Sequence, residues 1–134
     1  MPYAGMLDAN ILSAIMRDRE GSLLARAEEV GARRLCTSIV VAGELRFGAA
    51  KVDSPRLKRE VEGILARIAV LPIEPPTDAV YADIRADLQK RGRLIGPNDL
   101  WIAAHALALD LTLVTANTGE FSRIEGLRIE NWLA

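Results

Sequence analysis

The sequence predicts an α/β fold in which a central parallel sheet of four or five strands is covered by helices on both faces, giving three α/β/α layers. Short apolar runs alternate with helical periods along the whole chain, and this alternation is typical of parallel strands joined by crossover helices. Of the 134 residues, 50% are apolar and 26% are charged. These values favour one compact domain over residues 1–134.

Residues 3–73 contain three predicted strands and four predicted helices. The strands are apolar runs at 3–7, 35–37 and 69–73, and the helices cover 9–17, 22–30, 39–50 and 54–68. Apolar side chains three or four residues apart indicate the helices. Gly31 is expected to end the second helix, and Thr37 or Ser38 to cap the third. Ser54 followed by Pro55 is typical of a helix start.

Two further helices, a helical turn and two strands are predicted after the proline pair Pro75–Pro76. Thr77 is expected to cap a helix that Gly92 ends. After a loop over 92–96, Pro97 opens a helix over 98–108 whose apolar side chains point in all directions, so we expect it to be buried nearly all round. The remaining elements are a strand over 111–115, a helical turn over 118–124 and a strand near 127–130.

The charge balance argues against a strongly basic nucleic-acid surface. Lys and Arg number 17 against 18 Asp and Glu, a formal net charge of −1, so a polyanion would have to be met locally. The single cysteine, Cys36, fits a core position in a reducing compartment. The most apolar stretch, 100–114, is shorter than the roughly 20 residues that span a bilayer, and no signal peptide opens the chain. We expect a soluble, cytoplasmic protein.

Acidic and amide side chains stand where predicted strands end or where apolar helices are interrupted. Asp8 directly follows the first strand, Glu44 interrupts an apolar helix, and Asp99 lies in the first turn of the buried helix. Asn117 and Glu120 follow the fourth predicted strand. Ligands of open parallel sheets bind beyond the carboxyl ends of the strands. These five residues are therefore candidates for one site.

Convergence of these groups would require a cation, because two carboxylates about 4 Å apart repel by roughly 4 kcal/mol at an effective dielectric near 20. Oxygen ligands favour Mg²⁺ or Mn²⁺, and such an ion suits the hydrolysis of a phosphodiester by an activated water. Arg46, Lys51 and Arg93 flank the predicted site and are candidates for contacts with backbone phosphates.

Each acidic or amide residue also has an ordinary structural explanation. Asp8 is a preferred helix cap, and Glu44 could form a surface ion pair on its own helix. Asp99 could stabilise the helix N-terminus through the helix dipole, while Asn117 and Glu120 could be turn and cap residues. Only their joint placement favours a shared site.

Four segments together resemble PIN-domain toxins of the VapC type. They are residues 6–12 (MLDANIL), 41–49 (VAGELRFGA), 95–106 (IGPNDLWIAAHA) and 113–121 (LVTANTGEF). The segments occur in the order and spacing of that family and extend over nearly the whole chain. The resemblance implies a PIN-like domain.

The resemblance also implies a Mg²⁺- or Mn²⁺-dependent endoribonuclease that acts as the toxin of a toxin–antitoxin pair. It implies an acidic centre of Asp8, Glu44 and Asp99, completed by Glu120 or Asn117, with Asp8, Glu44, Asp99 and Asn117 as metal ligands. A homodimer and a small VapB-type antitoxin that docks over the active site are implied as well. Two positions depart from the family: Ala9 stands where Thr or Ser is frequent, and Asn117 where many members have Asp.

Two other functions stay open on the residues alone. A phosphoacceptor receiver domain has a similar size and build, but it needs a lysine after a late strand, and none follows Val114 or Ile129. In a non-catalytic protein-interaction module the acids would be incidental, and Mn²⁺ would not bind.

Overall fold

The computed structural model describes residues 3–18 and 20–133. The strands within them are β1 (Gly5–Leu7), β2 (Leu35–Ser38), β3 (Ala69–Leu71), β4 (Thr112–Val114) and β5 (Ile129–Glu130). The helices are α1 (Ala9–Arg17), α2 (Ser22–Val30), α3 (Ile39–Val52), α4 (Pro55–Leu65), α5 (Thr77–Lys90), α6 (Pro97–Ala108) and α7 (Thr118–Phe121), with a 3₁₀ turn over Ala32–Arg34.

All five strands are parallel and lie in the order β3-β2-β1-β4-β5. β1 is central, and Met6 lies opposite Cys36 of β2 and Leu113 of β4. Every residue of β1 is buried, because a central strand of a sheet covered on both faces has no solvent side. The predicted α/β/α class with a parallel sheet of five strands is confirmed.

The strand order creates a crevice beside β1. The chain winds from β1 outward through β2 and β3, then returns to the other side of β1 for β4 and β5. Such a reversal leaves an open crevice at the carboxyl ends of the two strands where it occurs, here β1 and β4. Asp8 and Thr115 directly follow these strands. The order also differs from the 2-1-3-4-5 order of receiver-type folds, which argues against the phosphoacceptor alternative.

Helix α6 is buried on most sides, as its composition predicts. Leu100, Ile102 and Ala106 are nearly inaccessible, and so is His105, whose Nδ1 lies 2.9 Å from Ser38 Oγ. Ser38, rather than Thr37, caps α3 by accepting a hydrogen bond from the Val40 amide. The burial of α6 fixes the position of its first turn, which carries Asp99.

Several predicted boundaries differ from the structure. α4 ends at Leu65 rather than near residue 68, β3 ends at Leu71, and a 3₁₀ turn precedes β2. The predicted cap at Thr77 is wrong, because α5 already begins at Thr77 and its side chain, 2% exposed, turns into the core. Pro76 occupies the cap position and has no side-chain oxygen to offer.

Within the described residues, no helix combines the length and the apolar character that crossing a membrane requires.

Candidate active site

Asp8 is a buried carboxylate with only uncharged hydrogen-bond partners. It caps α1, with Oδ1 accepting a hydrogen bond from the Ala9 amide at 2.8 Å, so its explanation as a helix cap is confirmed. Its second oxygen, Oδ2, accepts a hydrogen bond from Thr115 Oγ1 at 2.7 Å. Capping therefore uses one oxygen, and the other faces the end of β4. The side chain is 4% exposed, a position in which an unpaired charge is costly.

Thr115 and Asn10 join the ends of β1 and β4, and neither was among the predicted site residues. Thr115 is fully buried, donates to Asp8 and accepts a hydrogen bond from the Asn117 amide at 3.0 Å. Asn10 Oδ1 accepts a hydrogen bond from the Ala116 amide at 3.0 Å. The signal that identified Asp8, a polar residue at a strand end, applies equally to Thr115. Although Ala9 provides no hydroxyl, Thr115 places one against the same carboxylate.

Glu44 extends from α3 toward the start of α6. Its Oε2 lies 3.4 Å from Asn98 Nδ2, which donates to it. Burial raises the pKa of Glu44, the Asn98 hydrogen bond lowers it, and the charge of Asp8 raises it again. The explanation of Glu44 as part of a surface ion pair is wrong, because Arg46 pairs instead with Glu62.

Asp99 and Glu120 are neighbouring acids joined by an amide. Asn117 Nδ2 donates to Glu120 Oε2 at 2.7 Å and lies 3.4 Å from Asp99 Oδ2. The Asn117 hydrogen bond lowers the pKa of Glu120, and the Gly96 backbone amide contributes in the same direction. In this arrangement Asn117 acts as a hydrogen-bond donor to both acids rather than as an oxygen donor.

Asp99 lies close enough to the other three acids to be influenced by their charges. Burial and, to a smaller extent, the charges of Asp8, Glu120 and Glu44 together raise the pKa of Asp99 to about 6. None of the ion pairs formed within residues 3–18 and 20–133 includes any of these four acids. The structure therefore brings together Asp8, Glu44, Asp99, Asn117 and Glu120, with a negative charge that no ion pair within the described residues neutralises.

Carboxylate oxygens with uncompensated charge are the donor set that Mg²⁺ and Mn²⁺ prefer. In the described part of the chain, no three Asp, Glu, His or Cys side chains lie close enough together to hold a metal ion jointly. The acids fit a divalent cation by donor chemistry and charge, and at most two of them could bind one ion without a change in side-chain positions.

The three predicted phosphate-contacting residues differ in their surroundings. The Arg46 guanidinium is bound by both carboxylate oxygens of Glu62, at 2.8 and 2.9 Å. The Lys51 ammonium lies 5.6 Å from the ring centre of Phe47. Arg93 is exposed beside the start of α6. Arg46 is thus already occupied by an acid, whereas Arg93 lies on the rim of the cluster.

An apolar groove on the described surface lies apart from the acids. It has a volume of about 520 Å³ and runs between α1, α2 and α4. Its lining is mainly apolar and includes Leu12, Ile15, Met16, Leu24, Ala27 and Ile64. Glu28 and Arg67 also line it, but none of the clustered acids does. The groove suits an apolar partner better than an anionic substrate.

The PIN domain family model matches residues 5–127. Ribonuclease VapC2 of Haemophilus influenzae is 40% identical over 129 residues, which cover 96% of this chain and 97% of that protein. The tRNA(fMet)-specific endonuclease VapC of Shigella flexneri is 38% identical over 128 residues, or 95% of this chain and 96% of that protein.

Solved structures of similar proteins share the whole fold. A chain of the crystal structure of VapBC2 from Rickettsia felis, bound to a promoter DNA fragment, gives a TM-score of 0.88 at 32% identity, covering 96% of this chain and 98% of that one. DNA-bound VapBC from Salmonella typhimurium gives 0.88 at 35% identity, covering 98% of this chain and 99% of that one.

The crowding of Asp99 predicts a pH-dependent stability gain for Asp99→Asn in the metal-free protein. A carboxyl whose pKa rises from 3.8 to about 6 on folding destabilises the fold increasingly as pH rises between these values, and fully above them. The full shift corresponds to about 3 kcal/mol, which solvent screening of this partly exposed group reduces to about 1 kcal/mol. Urea unfolding in EDTA should show the full gain at pH 7.5 and a smaller gain at pH 5, which lies between the two pKa values.

Asp83→Asn is the matched control, because Asp83 is an exposed carboxylate on α5 away from the cluster. It should change the unfolding free energy little at either pH. An Asp99→Asn gain that is equal at both pH values, or a loss at pH 7.5, would show that Asp99 is not repelled by its neighbours.

Proposed function

The chain belongs to the PIN domain family and groups with its VapC ribonucleases, and on that premise we propose that it is a metal-dependent endoribonuclease toxin. The observation that carries the proposal is the group formed by Asp8, Glu44, Asp99 and Glu120, in which burial and the charges of the other three acids raise the pKa of Asp99 to about 6. The curated relatives are ribonucleases and endonucleases by name. We extend RNA phosphodiester hydrolysis to this chain.

Asp8 and Asp99 are the proposed principal ligands of a Mg²⁺ or Mn²⁺ ion. Glu44 would be a further ligand or would orient the attacking water, and Glu120 or the Asn117 side chain would complete the group. When bound, such an ion supplies a water of lowered pKa and positive charge beside the scissile phosphate. The same positive charge would allow RNA to approach a chain whose net charge is −1.

The chain's own hydrogen bonds orient the acids without neutralising them. Thr115 and the Ala9 amide hold Asp8, Asn98 holds Glu44, and Asn117 holds Glu120. Each of these donors is uncharged. Orientation is therefore fixed in advance while the negative charge stays available to a cation, which is how outer partners tune metal ligands.

A homodimer is proposed through the exposed side of α3, which we call the α3 face: Ile39, Gly43, Phe47 and Ala50. Ile39 is 49% exposed and Phe47 is 66% exposed. Gly43 has open space where a side chain would extend, so another helix can approach closely. Phe47 lies one helical turn from Glu44, so a partner on this face would border the acidic cluster.

A VapB-type antitoxin is the proposed second partner. The similar solved structures from Rickettsia felis and Salmonella typhimurium are VapBC complexes. The apolar groove between α1, α2 and α4 has the form that an amphipathic helix fills. We propose that the antitoxin docks mainly in this groove. From there it would extend over the acidic cluster and cover it.

Asp99→Asn should keep the fold but lower RNA cleavage about 10²-fold or more, since it removes a principal ligand and several kcal/mol of transition-state stabilisation. Cleavage of a mixed RNA substrate would be followed with Mn²⁺, and Mn²⁺ binding by calorimetry. Asp83→Asn should match the wild type in both. Undiminished metal-dependent cleavage by Asp99→Asn would refute the site, and cleavage unaffected by EDTA would refute the metal.

Phe47→Asp should convert the dimer to a monomer, because it places a charge in the centre of the α3 face. Light scattering coupled to size exclusion gives the mass directly. Leu109→Asp is the control, since Leu109 is 45% exposed at the far end of α6; it should leave the dimer intact. A dimer that survives Phe47→Asp would exclude the α3 face.

Ala27→Arg should weaken antitoxin binding at least about 10-fold, because a buried charge in an apolar groove costs more than 1.4 kcal/mol. The probe is the protein encoded by the short reading frame adjacent to this gene, titrated onto each variant. Ala25→Arg, on the exposed side of the same helix, is the control and should bind as the wild type. RNA cleavage by free Ala27→Arg should be unchanged. Equal affinity for both variants would place the antitoxin elsewhere.

A further inference from the structure

Arg123 reaches from the end of α7 to the segment that leads into α6. Its Nη1 donates to the Leu94 carbonyl at 3.1 Å and lies 3.5 Å from the Arg93 carbonyl. These carbonyls belong to residues 91–96, directly before the helix whose first turn carries Asp99. A single side chain thus connects the two elements that carry Asp99 and Glu120.

A second arginine makes the reverse connection. Arg91 Nη2 donates to the main-chain carbonyl of Arg123 at 2.7 Å, and the same guanidinium pairs with Asp87. Arg91 and Arg123 therefore bind each other's segments through main-chain carbonyls. We refer to this pair as the arginine clasp.

The arginine clasp joins two segments whose acidic side chains, Asp99 and Glu120, repel each other. Asp99 and Glu120 lie close together, because Asn117 Nδ2 is 3.4 Å from Asp99 Oδ2 and 2.7 Å from Glu120 Oε2, and two ionised carboxylates in this position repel each other. The positive charge of Arg123 attracts Glu120 and lowers its pKa. The Nε atom of Arg123 is buried and has no hydrogen-bond partner within the described residues. A partly desolvated guanidinium attracts Glu120 more strongly than a guanidinium in open solvent would.

We propose that Arg123 is a positioning residue that keeps α7 and the start of α6 together, so that Asp99 and Glu120 remain side by side when no cation is bound. It touches neither substrate nor metal in this role. The proposal rests on the proposed function only for the identity of the cation. The role of Arg123 in opposing the repulsion between Asp99 and Glu120 does not depend on a bound cation.

Arg123→Met should raise the Mn²⁺ concentration for half-maximal RNA cleavage about 10-fold, the lower end of the range for loss of a partner behind the metal ligands. The cleavage rate at saturating Mn²⁺ should stay within about threefold of the wild type, since the ligands themselves are intact. Calorimetric titration with Mn²⁺ alone should show the same loss of affinity without RNA.

Arg128→Met is the matched control. Arg128 makes comparable contacts, donating to the carbonyl and the carboxylate of Asp110 at 2.7 and 2.8 Å, but it does so before β4, at the end of the sheet away from the acids. Its Mn²⁺ dependence should equal that of the wild type. Arg123→Lys keeps the charge and loses the forked donor, so its shift should fall between those of the wild type and Arg123→Met.

A double-mutant cycle separates positioning from a general structural role. In EDTA at pH 7.5, Arg123→Met should lower the unfolding free energy less in an Asp99→Asn background than in the wild type, because the repulsion is then gone. Additive losses, or unchanged Mn²⁺ dependence in either Arg123→Met or Arg123→Lys, would overturn the proposal. If the wild-type protein binds no Mn²⁺, the proposed function is wrong. The double-mutant cycle, which is measured without metal, still tests whether Arg123 opposes the repulsion between Asp99 and Glu120.

Discussion

Repulsion among four carboxylates at one end of the sheet is the constraint on which the rest of the structure depends. Asp8, Glu44, Asp99 and Glu120 come from four separate segments, and no cationic side chain in the described part of the chain pairs with them. Bringing them together opposes folding. The hydrophobic core must offset this cost, and the core achieves it by burying β1, β4 and α6, the elements next to the acids.

The hydrogen bonds of the site show how a charged cluster is oriented while its charge is kept. Thr115, Asn98 and Asn117 each donate to an acid, and all three are neutral. A lysine or arginine in any of these places would stabilise the metal-free protein and compete with a cation. Arg123 lowers the pKa of Glu120 but binds the carbonyls of residues 93 and 94 rather than a carboxylate. Stability is thus lower at the acidic cluster than it would be with a basic partner there.

The near-neutral composition conceals this distribution of charge. With 17 basic and 18 acidic residues, the chain as a whole offers no basic surface, and Arg46 is already bound to Glu62. The charge that matters for a polyanion is local, and a divalent cation at the acidic cluster would make it less negative there. In the proposed function, recognition of RNA would then depend on the residues that surround the cluster and on the proposed partner at the α3 face.

The sequence by itself determined the parallel α/β class, most helices and the membership of the acidic cluster. Asp8 is recognisable because it follows a buried strand, and Glu44 and Asp99 because they interrupt apolar helices. Burial follows from periodicity along the chain, which is a local property. Helix and strand ends are predicted less accurately, because the local signals for them are weaker. Thr77 is a residue type that often caps helices, but here its side chain packs into the core.

Only the tertiary structure decided how these residues work together. The contacts of Thr115 with Asp8, of Asn98 with Glu44 and of Arg123 with Leu94 join residues 107, 54 and 29 positions apart. Sequence spacing carries no information on such pairs, because they depend on strand order and on the direction of each side chain. For the same reason the sequence predicts that Asn117 belongs to the site, but not its contacts. Only the structure shows that its side-chain amide lies between Asp99 and Glu120 and donates hydrogen bonds to them.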